Sequence, residues 1–268
     1  MIRSHKPSFP ALTDVLEVCQ PAEIRGRKSS EHWLNDVYLR KLSPYLTRIL
    51  IPTGISANGV TWVMILSGFL AALSITSLLP LVGLITLFLG QFQMLMDCVD
   101  GEVARWRKTS SAQGIFLDKF GHYLTESLIP ICLGVHVMRM QGMANYYLVI
   151  GLFVSTLVLM NKAFNDMVHV ARAFSGLAKL PEASALNIPN SSMLSMLKGF
   201  TRILPFQKIF HSVELTALFC FANIIEYINP GTNATKFLLM GLLVVATITV
   251  PGHFLAIMNS NRLKASSE

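Results

Sequence analysis

Apolar positions along this chain gather into six runs, at residues 59–79, 81–101, 114–138, 145–168, 209–228 and 236–258. A helix crossing a bilayer needs about 20 mostly apolar residues, so each run predicts one transmembrane helix. Upstream the pattern changes. Within residues 31–50 (EHWLNDVYLRKLSPYLTRIL), Leu34, Val37, Tyr38, Leu42, Tyr45 and Ile49 form an apolar stripe near helical spacing, with basic residues beside it. That predicts an amphipathic helix lying at headgroup level, kinked or split in two by Pro44. Residues 173–207, broken by Gly, Pro and Ser, predict a longer connection with short interfacial helices. The predicted class is an all-α integral membrane protein: six transmembrane helices preceded by an amphipathic interfacial helix. Its parts are a segment 1–30, the amphipathic helix 31–50, a six-span domain 51–260 and a tail 261–268.

Composition agrees. The chain is 52% hydrophobic and 14% charged, against roughly a quarter charged in soluble domains. Its net charge of +7 is placed unevenly, which orients the spans. Basic residues crowd the segment before span one and the connections after spans two (Arg105, Arg107, Lys108) and four (Arg172, Lys179, Lys198, Arg202, Lys208). The opposite connections hold only Arg139 and Lys236. Both termini are therefore expected in the cytoplasm, and the charge reads as membrane orientation, with no nucleic acid as partner. Residues 1–30 lack an apolar core, so no signal peptide is expected there. Cys19, Cys98, Cys132 and Cys220 show no metal spacing and predict neither a disulfide framework nor a zinc site. Asn190-Ser191-Ser192 and Asn233-Ala234-Thr235 match the glycosylation sequon, a weak signal.

Two runs carry charges where charge is expensive, roughly 2.5–3.5 kcal/mol per ionisable residue on insertion scales. Asp97 and Asp100 stand at i and i+3 near the end of span two. Asp118 and His122 stand at i and i+4 near the start of span three, so each pair shares a helical face. The connection between the spans is short, which predicts antiparallel neighbours whose charged faces meet near the cytoplasmic surface. Three carboxylates and an imidazole gathered there call for a hard divalent cation with oxygen ligands. Gly101 and Gly114 allow a backbone or ligand to approach closely, Ala104 is nearly as small, and Arg105 can fork onto phosphate oxygens.

These residues resemble a known signature. Asp97-x-x-Asp100-Gly101-x-x-Ala104-Arg105, eight residues, then Gly114-x-x-x-Asp118-x-x-x-His122 is similar to the CDP-alcohol phosphotransferase motif DxxDGxxAR, eight residues, GxxxDxxxD. Seven of its eight fixed positions match in register. Ile55-Ser56-Ala57-Asn58-Gly59-Val60-Thr61 also looks like that family's Pro-Asn-x-x-Thr stretch, with Ala57 where the proline stands. The resemblance covers about residues 50–258. It implies transfer of a phosphate-linked group from a CDP-activated donor, CDP-diacylglycerol foremost, to an alcohol, with release of CMP in phospholipid synthesis. It further implies Mg²⁺ or Mn²⁺, as two ions, on Asp97, Asp100 and Asp118. Asn58, Thr61, Gly101, Ala104, Arg105 and Gly114 would line the CDP site. A homodimer in a bacterial inner membrane is implied as well.

The departure is His122, where the family has its fourth aspartate and base. A neutral imidazole accepts a proton and can also ligate metal, so His122 is expected as base or ligand. Glu126, one turn further on the same face, orients it or supplies the missing carboxylate. The alternative is a degenerate member with weak or no activity. An intramembrane Mg-dependent prenyltransferase also uses aspartates for pyrophosphate, but with different spacing. A small ion-coupled transporter fits the hydropathy alone. Along span four, Asn161, Asn165, His169 and Arg172 share a face, which reads either as an acceptor-binding wall or as interhelical hydrogen bonding with a snorkelling arginine.

Overall fold

The computed structural model describes residues 9–21, 38–178 and 209–264, and every regular element among them is helical. The α-helices are α1 (Leu12–Cys19), α2 (Arg40–Leu50), α3 (Ala57–Ile75), α4 (Val82–Arg107), α5 (Ala112–Met140), α6 (Tyr146–Phe174), α7 (Ser212–Ile228) and α8 (Ala234–Met258). Each of the six expected spans falls on one helix of α3 to α8. Four stretches, Ala57–Ile75, Val82–Arg107, Tyr146–Phe174 and Pro230–Met258, are long and apolar enough to cross a membrane. The other two helices differ from them for separate reasons. α5 has 29 residues but carries Asp118, Lys119, Glu126 and Arg139, and α7 has only 17 residues. The stretch 179–208, with its expected interfacial helices and the Asn190 sequon, lies outside the described residues.

The bundle is apolar on its outside and buries polar groups within its core. Leu66, Phe88, Phe153, Phe237 and Ile248 are exposed, while Gln93, Thr125, Glu126 and Thr216 are buried. This is the inversion expected of a lipid-facing surface around a polar interior.

The packing corrects one expectation. The four-residue connection 108–111 predicts α4 and α5 as antiparallel neighbours. Instead α3 packs along both, and α4 and α5 have little direct backbone contact. Small residues explain the preference. Gly68 of α3 lies against Gln93 of α4 and Thr125 of α5, and Gly121 of α5 against Met64 and Ile65 of α3. With α3 filling the wedge, the site ends of α4 and α5 face one another across a gap bridged by side chains. On the other side α5 closes onto α6, where an added Cβ at Gly134 would stand 2.7 Å from the Tyr147 carbonyl oxygen. α8 packs on α6 and α7, and α7 on α4.

Ahead of the bundle, α2 runs unbroken through Pro44, so the expected split does not occur. Proline deprives the Arg40 carbonyl of its helical donor, and the Gln20 side chain supplies one at 2.8 Å. The apolar stripe of α2 faces outward at Tyr38, Leu42, Tyr45 and Ile49, while Ser43, Pro44 and Thr47 are buried against the bundle. Leu34 and Val37 lie outside the described residues.

Candidate active site

Two capped helix starts and one helix end frame the site. Ser56 accepts from the Gly59 N–H to begin α3, and Ser111 accepts from the Gly114 N–H to begin α5, each at 3.1 Å. The two starts meet where Asn58 faces Gly114, whose absent Cβ would stand 3.2 Å from Asn58 Oδ1. Lys108, at a left-handed φ of 56°, ends α4 and turns the chain back.

From α4, Asp97 points across the gap to α5. His122 Nε2 lies 2.9 Å from Asp97 Oδ1 and 3.6 Å from Asp118 Oδ1. Asp97, Asp118 and His122 each offer a ligand atom within 4.8 Å of the others. Asp100 lies beside this group, in electrostatic reach of both aspartates, but deeper, at 8% exposure. Its Oδ2 accepts from the Thr61 hydroxyl of α3 at 2.7 Å. The donor set, carboxylates with one imidazole, fits a hard divalent cation. Thr61 is itself buried, so it acts on Asp100 and does not line an open surface.

Behind His122 sits Glu126, at 1% exposure. Its Oε1 is 3.6 Å from His122 Nδ1, a charge contact, and 3.2 Å from His211 Nδ1 at the start of α7. Its Oε2 pairs with Lys162 of α6 at 2.7 Å. A second pairing lies nearer the surface, where Asp166 accepts from Lys119 at 2.6 Å and from the Tyr123 hydroxyl at 2.9 Å. Helices α5, α6 and α7 are thus joined around the imidazole.

A family model for CDP-alcohol phosphatidyltransferase matches residues 54–220, well over half of the 268 residues. The chain belongs to that family. A CDP-alcohol phosphatidyltransferase is a transferase, acting between a CDP-alcohol and a second alcohol, and the apolar helices suit its place in a membrane. The matched residues include every candidate of α3, α4, α5 and α6 and exclude α1, α2 and α8. A comparison with curated proteins finds no match.

Asn58, Gly101, Ala104, Arg105 and Gly114 are each partly exposed. Arg105 folds back over Gly101, where an added Cβ would meet its Nη1 at 3.1 Å, and its Nε donates to the Cys19 carbonyl at 2.6 Å. The candidates on α6 are placed differently. Asn161 Oδ1 accepts from His253 Nδ1 at 2.7 Å, and Asn165 Oδ1 from Arg262 Nη2 at 3.3 Å. Arg172 donates to the carbonyls of Ala178, Arg262 and Lys264. All three bond to α8 or the chain beyond α6 and α8, while His169 is exposed.

Sequence reasoning missed Lys162 and His211 as partners of Glu126, and it passed over Glu102. This residue occupies a variable position inside the motif, yet it is 2% exposed. Its Oε1 accepts from Gln20 at 2.7 Å and Ser43 at 2.6 Å, and its Oε2 from Thr47 at 2.5 Å. The available signal was an ionisable residue at the end of an apolar run, which is functional or partnered by default.

Proposed function

We propose that this chain transfers a phosphatidyl group from CDP-diacylglycerol to a hydroxyl acceptor and releases CMP, a step of phospholipid synthesis. The observation that carries the reading is the meeting of Asp97, Asp118 and His122 across the α4–α5 gap. Asp97, Asp100 and Asp118 would hold Mg²⁺ or Mn²⁺, as two ions, with His122 at the edge as ligand or base. When bound, the metal supplies positive charge against the pyrophosphate and the departing CMP.

The protein's own residues position and deprotonate. Thr61 fixes Asp100. Asn58, Gly101, Ala104 and Gly114 leave small or polar surface for the nucleotide, and Arg105 presents N–H groups to phosphate oxygens. As the acceptor oxygen bonds to the phosphatidyl phosphorus, the bond from that phosphorus to the CMP oxygen breaks, and the hydroxyl proton passes to His122 Nε2. Glu126 faces Nδ1 and would hold the ring proton there once Asp97, which in this structure accepts from Nε2 at 2.9 Å, is taken up as a metal ligand; Nε2 is then the acceptor. The same reading orients six spans with both termini and the site on the cytoplasmic side of a bacterial inner membrane, in a homodimer. Asn161, Asn165 and Arg172 enter it as an acceptor wall only if their internal hydrogen bonds open.

Purified protein incubated with CDP-diacylglycerol, Mg²⁺ or Mn²⁺ and a panel of polyol and phosphorylated-polyol acceptors tests this. Metal-dependent CMP and a new phospholipid are expected. Release of pyrophosphate from prenyl substrates would instead assign a prenyltransferase, and no turnover with any acceptor would mark a degenerate member.

A further inference from the structure

Helix α1, the first of the two that precede the family-matched residues, is pinned at both ends by arginines. Arg48 of α2 donates from Nε to the Pro10 carbonyl at 2.8 Å, just ahead of α1. Arg105 of the motif donates to the carbonyl of Cys19, the last residue of α1. A terminal helical carbonyl has no partner within its own helix, so Arg105 caps α1. Next to it, the Gln20 carboxamide divides its two N–H groups between the Arg40 carbonyl orphaned by Pro44 and Glu102 Oε1. The Cys19 thiol adds a contact of 3.3 Å to the Glu102 carbonyl.

We infer that α1 and Gln20 are a positioning element for the nucleotide site, aiming the Arg105 guanidinium across Gly101. The inference rests on the proposed role of Arg105 toward the CDP phosphates. A guanidinium has five N–H donors. With Nε committed to Cys19, the plane of the fork is fixed, and its Nη1 and Nη2 side lies over Gly101 and within electrostatic reach of Asp100. An arginine on a flexible stem must lose rotamer freedom when phosphate arrives, and one already held loses less. Glu102 and Gln20 touch no reacting atom and act through Arg105. Residues outside the matched region therefore set donor affinity.

The test measures CMP release by full-length reconstituted protein while CDP-diacylglycerol is varied at saturating acceptor. Q20A is expected to raise the donor KM about 5–20-fold, with kcat and the acceptor KM within about twofold. The Q20A/R105A double variant should be no worse than R105A, because both act through one guanidinium. R48A, which releases the far end of α1, should raise the donor KM by a smaller factor. An unchanged donor KM in Q20A, effects that multiply with R105A, or a parallel fall in kcat would overturn the inference. Should wild type release no CMP, the functional reading fails by itself. The same variants are then compared for CMP affinity by calorimetry with Mg²⁺ present, where an unchanged affinity in Q20A overturns the inference. Alkylation of Cys19, followed by mass spectrometry, reports α1 directly. The thiol is fully buried; burial and the adjacent Glu102 charge push it from 9.0 up to about 11 against the Arg105 charge, which lowers it, so faster labelling without Arg105 reports opening of α1 and not a more acidic thiol. Iodoacetamide at pH 8 should spare it in wild type and label it at least about tenfold faster in R105A; equal rates would show that Arg105 does not hold α1.

Discussion

At His122 a single substitution relative to the family motif changes what the site holds before any metal arrives. A fourth aspartate would add a charge to three others, whereas the imidazole takes Asp97 and Asp118 on one side and Glu126 on the other. The base role predicts that H122A, with metal saturating, loses about 10²–10⁴-fold in turnover, while H122D retains part of it. Near-normal CMP release by H122A would end that assignment. Glu126 has two duties that can be separated. E126Q leaves the Lys162 ammonium, only 18% exposed, without its counter-charge, a defect of about 3–5 kcal/mol for a broken buried pair. Adding K162M should restore most of the melting temperature in detergent but not the CMP release. Joint recovery of both would mean that Glu126 is structural only.

Among elements, how much was legible depended on how local the signal was. Six helices followed from runs of about 20 apolar residues, because in lipid a backbone segment must satisfy its own hydrogen bonds. The meeting of Asp97 with His122 followed from i, i+3 and i, i+4 spacing plus a short turn. That α3 stands between α4 and α5 did not follow, since it depends on which faces hold small residues, and Gly68 and Gly121 gave no sign of their partners. The stripe of α2 was visible. Its hidden partner Glu102 was not, because nothing in the spacing of Ser43 and Thr47 points to a buried carboxylate on another helix. Helix contacts of this kind are testable through glycine. G134A forces a Cβ against the Tyr147 carbonyl at 2.7 Å and should destabilise the bundle by about 1–3 kcal/mol. G241A, in a helix with nothing within 4 Å, should melt at or above wild type. The reverse order would show that α5 and α6 do not approach as described.

For the whole molecule, the question is whether α5 and α7 cross the membrane beside the four helices whose apolarity suffices. Charge argues against α5 only if the ionisable groups in the middle of its length face lipid, and they do not. Glu126 is enclosed by Lys162 and His211, and His122 by Asp97, which makes those charges tolerable in a membrane. The more exposed Asp118 and Lys119 stand near its first turns. Arg139 lies at its last turn and donates to the Thr76 carbonyl at the end of α3. Length argues against α7, yet 17 residues at about 1.5 Å each span some 26 Å, a shortfall that local thinning of the bilayer absorbs at modest cost. α7 also packs on α4 and α8, which are long enough to cross. Alkaline phosphatase fusions, active only when exported, decide the matter. Fusions after Gly142 and Gly231 are expected to be active, and those after Thr109, Ala178 and Lys264 inactive. Equal activity at Thr109 and Gly142 would take α5 out of the membrane, and with it the enclosure that makes Glu126 and His122 partners.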